Sequence, residues 1–104
     1  MQTIHHECAV SATEPVFAGH FPSHPILPGV MLLALARGAV AAQLGHTPRL
    51  VRIVRQRFLR PVLPDTTLRV ECQLKVDTAQ TYRVACRWLL PDGELVARGE
   101  LVMA

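Results

Sequence analysis

Apolar residues recur at every second position through the C-terminal half of the chain, and that period predicts strands. From Leu68 to Val76, the residues Leu68, Val70, Cys72, Leu74 and Val76 face one way, while Arg69, Glu71, Gln73 and Lys75 face the other. Tyr82, Val84, Cys86 and Trp88 repeat the alternation against Arg83 and Arg87. Pro91-Asp92-Gly93 supplies a turn, and Leu95, Ala97, Leu101 and Met103 form the inward row of a last strand. Near the start, Ile4, His6, Cys8 and Val10 alternate with His5, Glu7, Ala9 and Ser11, which predicts a first strand. Thr47 to Leu59 reads as another, closed by Arg60-Pro-Val-Leu-Pro-Asp65.

Between the first two strands the period changes. The stretch from Pro15 to Pro28 holds four prolines, each fixing φ, and is too stiff for a regular element. A helix is predicted from Pro28 or Gly29 to Leu44, with Gly45 as its stop. Its alanines and leucines lie on nearly all sides, as in a helix enclosed by other structure. The order is strand, long loop, helix, then about four strands in a meander. A curled antiparallel sheet wrapped around one central helix buries that helix best, so the expectation is an α+β fold with one domain over residues 1–104.

Composition narrows the picture. Half of the 104 residues are apolar, enough for one core near the lower end of what a single domain supports, and dimerisation would extend it. No apolar run suits a membrane span and no leader resembles a signal peptide, so a cytoplasmic placement is expected. Cys8, Cys72 and Cys86 are odd in number and widely spaced, which suggests reduced, mostly core-facing thiols. His5-His6-Glu7-Cys8 is not expected to hold a metal, because alternation sends neighbouring side chains to opposite faces. Net charge is +3, with Arg49, Arg52, Arg55, Arg57 and Arg60 crowding one segment. Apart from Phe58 that cluster lacks the interleaved aromatics of a nucleic-acid interface, so no nucleic acid is expected. It suits an acidic protein partner or a solvated strand.

The chemistry concentrates in Phe17-Ala-Gly-His-Phe-Pro-Ser-His-Pro-Ile-Leu-Pro-Gly-Val30. His20 stands on a proline-braced loop just ahead of a Pro-Gly helix start. A base and a cluster of unpaired backbone N–H groups are two of the parts needed to act on a thioester. The pattern Gly-His-Phe-Pro-x-x-Pro-x-x-Pro-Gly-Val resembles the signature of the 3-hydroxyacyl-acyl carrier protein dehydratases of bacterial fatty-acid synthesis, which are hotdog-fold proteins. A second block, Arg57-Phe-Leu-Arg-Pro-Val-Leu-Pro-Asp65, is similar to the family's Phe-x-x-Pro-Val-x-Pro-Gly-Asp, without the glycine before Asp65. In compactness the chain resembles the small dehydratase-like proteins of aryl-polyene and related pigment biosynthesis.

The resemblance implies roles. His20 matches the base that takes a proton from C2 of the substrate, and Gly29 and Val30 match the helix start whose N–H groups receive the thioester carbonyl. Phe21, Pro22 and Pro28 hold the loop, while Leu33, Ala34 and Gly38 line the neighbouring wall. The substrate implied is a 3-hydroxyacyl thioester carried on the phosphopantetheine of acyl carrier protein, with no cofactor of the enzyme's own. The assembly implied is a homodimer, or a heterodimer with a homologue, joined through edge strands.

One departure stands out. The family's helix acid, supplied by the neighbouring subunit to protonate the leaving hydroxyl, falls on Ala34, and its glutamine one turn later falls on Gly38. Neither can donate a proton. Three readings remain: a dehydratase whose proton comes from elsewhere (His24, Tyr82, water or a partner's carboxylate), a non-catalytic acyl-carrier or acyl-thioester binding subunit or heterodimer half, and an acyl thioesterase. Arg37 is open between substrate contact and surface or interface pairing.

Overall fold

The computed structural model describes residues 1–11, 27 and 29–104. His20, Phe21, Pro22, His24 and Pro28 lie outside the described residues. The elements are β1 (Gln2–Val10), α1 (Gly29–Leu44), β2 (Leu50–Phe58), β3 (Thr66–Val76), β4 (Tyr82–Leu89) and β5 (Leu95–Met103). All strand pairs are antiparallel, in one five-stranded sheet of order β1-β3-β4-β5-β2.

The expected meander therefore holds only for β3, β4 and β5. β2 does not pair with β3; it crosses to the far edge and pairs with β5. The proline-bearing link 59–65 has no hairpin turn, so it must carry the chain past the ends of two strands. It is tied down on the way, where the Leu59 and Arg60 N–H groups both donate to the Val96 carbonyl (2.8 and 3.1 Å).

Cross-strand register fixes which face holds the helix. Val70, Trp88, Ala97 and Phe58 stand abreast on β3, β4, β5 and β2. Trp88 is fully buried and its Nε1–H donates to the Leu32 carbonyl of α1 at 2.8 Å. That row is thus the inner face, and alternation places Cys72, Cys86, Gly99 and Gln56 in the next inner row. Leu32, Ala36, Ala39 and Val40 are the buried side of α1. Small residues on this side let the helix settle close to the sheet, and each buried aliphatic adds about 1.5–3 kcal/mol of transfer free energy.

Two expectations need correction. α1 is not enclosed on nearly all sides within one protomer: Val30, Ala34, Gly38 and Ala42 form an exposed face at i, i+4 spacing. Val76 does not belong to the buried row either, being 68% exposed where β3 runs past the core.

The arginines mostly populate the outer face. Arg55 and Arg83 approach Glu100 (3.6 and 3.5 Å), and Arg69 and Arg87 approach Glu71 (3.3 Å each). These pairs lie at the solvated face of the sheet, where screening keeps each one's contribution to stability small. Among the described residues no helix is long and apolar enough to cross a membrane, and no group of His, Cys, Asp and Glu has the arrangement of a metal site.

Trp88→Phe should lower stability by about 1–3 kcal/mol, because it removes the indole N–H bond to the Leu32 carbonyl and leaves space against α1. Urea unfolding followed by circular dichroism checks this, since the variant has no tryptophan to report.

Candidate active site at the start of the helix

The two sequence blocks that carry the family resemblance meet in space. The Leu27 N–H donates to the Val62 carbonyl at 2.7 Å, joining the segment before α1 to the link after β2. Two residues on, the Phe58 ring covers Gly29 so closely that a Cβ there would stand 2.7 Å from the ring. Only a residue without a side chain fits under the ring in this arrangement. Leu27 and Val62 are both buried, so the junction is anchored in the core rather than laid on the surface.

Around this junction lies a hollow of about 400 Å³, lined by Leu27, Gly29, Leu32, Phe58, Arg60 and Val62, with Leu59 and Pro61 completing it. Its walls are mainly apolar. The exception is Arg60, which is ion-paired with Glu94. The first N–H groups of α1 have no acceptor within the helix and carry its positive dipole end, so a carbonyl oxygen gaining charge is stabilised there. α1 has no acidic residue in its first turn and no basic residue in its last. An acid at the helix start would compete with such an oxygen for the same N–H groups.

Of the residues expected to form the site, Gly29 is placed in the hollow itself. Val30 is 66% exposed and begins the uncovered helix face that continues through Ala34 and Gly38. Leu33 is half-buried beside it and packs against the core. A Cβ on Gly38 would meet nothing within 4 Å among the described residues, and Gly38 is exposed. Arg37 is held by a bond from its Nε–H to the Pro48 carbonyl (2.6 Å), which makes it a tie between helix and chain.

The sequence reading missed Leu27, Phe58 and Val62 as site residues, although all three sit inside the quoted motif blocks. It also missed the apolar strip formed by Ile53, Phe58, Leu59 and Leu63, each close to half exposed, on and just after the edge strand β2. An edge strand with large exposed apolar side chains is the kind of surface on which chains associate.

The buried thiols stand apart from this site. Cys72 and Cys86 face each other across β3 and β4 with sulfurs 3.7 Å apart. That shared hydrogen bond and burial push the Cys86 thiol far above its ordinary range, so it is not a nucleophile. Burial also raises the Cys8 thiol.

Comparison with known proteins agrees with the geometry. Residues 1–99 match the model of a dehydratase family described as ApeI-like. The chain is 39% identical over 102 residues to the 3-hydroxyacyl-acyl-carrier-protein dehydratase FabZ of Thermomicrobium roseum, covering 91% of this chain and 68% of that protein. It is equally similar to the FabZ of Caldicellulosiruptor bescii, 39% identical with 91% and 72% covered. Among solved structures it is similar to the dehydratase heterocomplex ApeI:P from Xenorhabdus doucetiae, with TM-score 0.76 and 19% identity over 98% of this chain and 87% of that one. A 1,4-dihydroxy-2-naphthoyl-CoA thioesterase from Synechocystis also shares the fold, with TM-score 0.77 and 14% identity over 99% and 81%. The hotdog fold expected from the motif is borne out.

Gly29→Ala should push the Phe58 ring outward at a cost below about 1 kcal/mol, because the ring is half exposed and free to swing. In a double-mutant cycle with Phe58→Ala the added methyl should cost nothing further, giving a coupling of about 0.5–1 kcal/mol. Strict additivity would contradict the close approach.

Proposed function

The chain belongs to the ApeI-like dehydratase family, and on that premise we propose that it binds 3-hydroxyacyl thioesters on a carrier protein and takes part in their dehydration. The observation that carries this reading is the junction of the two motif blocks at the start of α1, with a mainly apolar hollow beside the first N–H groups of the helix, which lack acceptors inside it.

In this reading the thioester carbonyl lies at the N–H groups of Gly29 and Val30. His20 takes the proton from C2, and negative charge that develops on the carbonyl oxygen is met by the helix start. The electron pair then forms the C2–C3 double bond as the C3–O bond breaks, and the leaving oxygen takes up a proton to depart as water. No redox step and no metal is required by this balance. The pantetheine arm and its acidic carrier belong to the partner, and the work would be done in the cytoplasm.

The proton for the leaving oxygen has no source on α1. Ala34 and Gly38 stand on the exposed helix face where the family pattern has its acid and glutamine. A second copy of this chain repeats the same alanine, so we infer that the acid comes from a homologous partner that covers the β2 edge and the Val30–Ala42 face. The structural likeness to a dehydratase heterocomplex supports that assembly. Hydrolysis is the weaker alternative, because hotdog thioesterases also use a carboxylate that Ala34 does not supply.

Formation of the enoyl thioester, followed by its ultraviolet absorbance, tests the chemistry. His20→Ala should lower the rate by at least about 10²-fold. Ala34→Glu should raise the rate of the unpartnered protein by at least about 10-fold. Release of free acid and intact carrier thiol would instead identify a thioesterase.

A further inference from the structure

Arginines stand abreast on the outer face of the sheet. Arg57 of β2 is directly opposite Arg98 of β5, and Arg98 is directly opposite Arg87 of β4. All of them are exposed. Like charges set opposite each other on neighbouring strands weaken a sheet, so packing does not account for the row. Arg87 is answered by Glu71 across from it on β3, and Arg55 by Glu100. Arg57 and Arg98 are not answered in this way. Among the described residues neither lies in an ion pair.

The two line a hollow of about 580 Å³ together with Arg55, Gln56 and Gly99. That is the size of a pocket for a small molecule, and the charged groups lining it are all guanidinium. Successive side chains of β2 take opposite faces, so Arg57 points away from the face on which the Phe58 ring covers Gly29. The hollow is therefore separate from the one at the start of α1, with which it shares no lining residue.

The chemistry selects the ligand. One guanidinium fork is enough for the two oxygens of a carboxylate. Two forks from neighbouring strands need an anion with oxygens turned to both, and a tetrahedral phosphate has them. A phosphate monoester also carries a charge of about −1.5 to −2 at neutral pH, which matches two unpaired arginines.

We propose that Arg57 and Arg98 bind the terminal phosphate of a small molecule on the outer face of the sheet. The phosphate bridges the two guanidinium groups and removes their repulsion, while the rest of the molecule occupies the hollow. Two sources share this chemistry: a nucleotide-bearing thioester carrier such as coenzyme A, and a free phosphorylated metabolite. The inference stands apart from the acyl-thioester reading and does not rest on it.

Titration calorimetry at constant ionic strength, with inorganic phosphate as the probe, tests it. Phosphate should bind the parent and raise its melting temperature. Arg57→Gln and Arg98→Gln should each weaken that binding by at least about 10-fold and, freed of a like charge, melt no lower than the parent. Lys75→Gln, which removes one charge farther along β3, should bind as the parent does. A parent that binds no phosphate overturns the proposal, as does unchanged binding in either arginine variant. An equal loss in Lys75→Gln shows attraction by overall charge and overturns it too. Coenzyme A titrated against its 3′-dephospho form separates the sources. A preference for coenzyme A that both arginine variants lose supports the site and assigns the phosphate to a thioester carrier. Equal binding of that pair, with the phosphate effect intact, supports the site and assigns it to a free metabolite. Enoyl formation is measured separately, so failure here leaves the acyl-thioester reading standing.

Discussion

The bond from Leu27 N–H to the Val62 carbonyl (2.7 Å), together with the Phe58 ring over Gly29, fixes where the helix begins relative to the sheet. The site depends on that placement. The link after β2 has to cross the sheet end to reach β3, and its prolines narrow the paths it can take. By crossing there it passes the start of α1 and captures it. A topological necessity thereby becomes the wall of the hollow, and a helix start that could have pointed into solvent faces an apolar space of about 400 Å³.

The rest of the protomer keeps that junction rigid on one side and leaves it open on the other. Trp88 pins α1 from below through the Leu32 carbonyl, and the buried side of the helix is small enough to sit low on β1 and β3. No helix among the described residues packs over β2, where Ile53 and Phe58 stay half exposed, and Val30 and Ala34 are exposed on α1. The chain therefore carries the family's histidine motif and, in the proposed reading, a helix start that receives the carbonyl, while Ala34 stands where the family has its acid and the helix face around it is exposed. A homologous partner would supply an acid and cover that face, which accounts economically for losing the carboxylate at Ala34.

Much of this was legible in the sequence because its signals are local. Alternation located β3, β4 and β5, and the proline-glycine spacing located the helix start. The strand order was not legible, since the destination of β2 is set by a crossing link rather than by a hairpin turn. The second motif block was read as having lost its glycine ahead of Asp65. The structure gives Asp65 itself a left-handed backbone, φ 59°, so the aspartate stands in the turn position that usually favours glycine. The inward placement of Gln56 was not legible because β-bulges near Val51 and Val54 shift the alternation of β2. Without its register against Gly99, a glutamine among arginines looks like one more solvated residue. Alanines and leucines on nearly all sides made α1 look enclosed, yet Val30, Ala34 and Gly38 are exposed, because apolar composition does not tell a core face from an open one.

The measurement that tests the central claim most directly is the intact mass of a 3-hydroxyacyl-loaded carrier protein, incubated with this chain alone and then with an added homologue that retains the helix acid. The account predicts little change with the chain alone and loss of one water from the acyl group once the homologue is added, provided His20 is present. Full dehydration by the chain alone would contradict the need for a partner's acid. Loss of the whole acyl group would contradict the dehydratase reading.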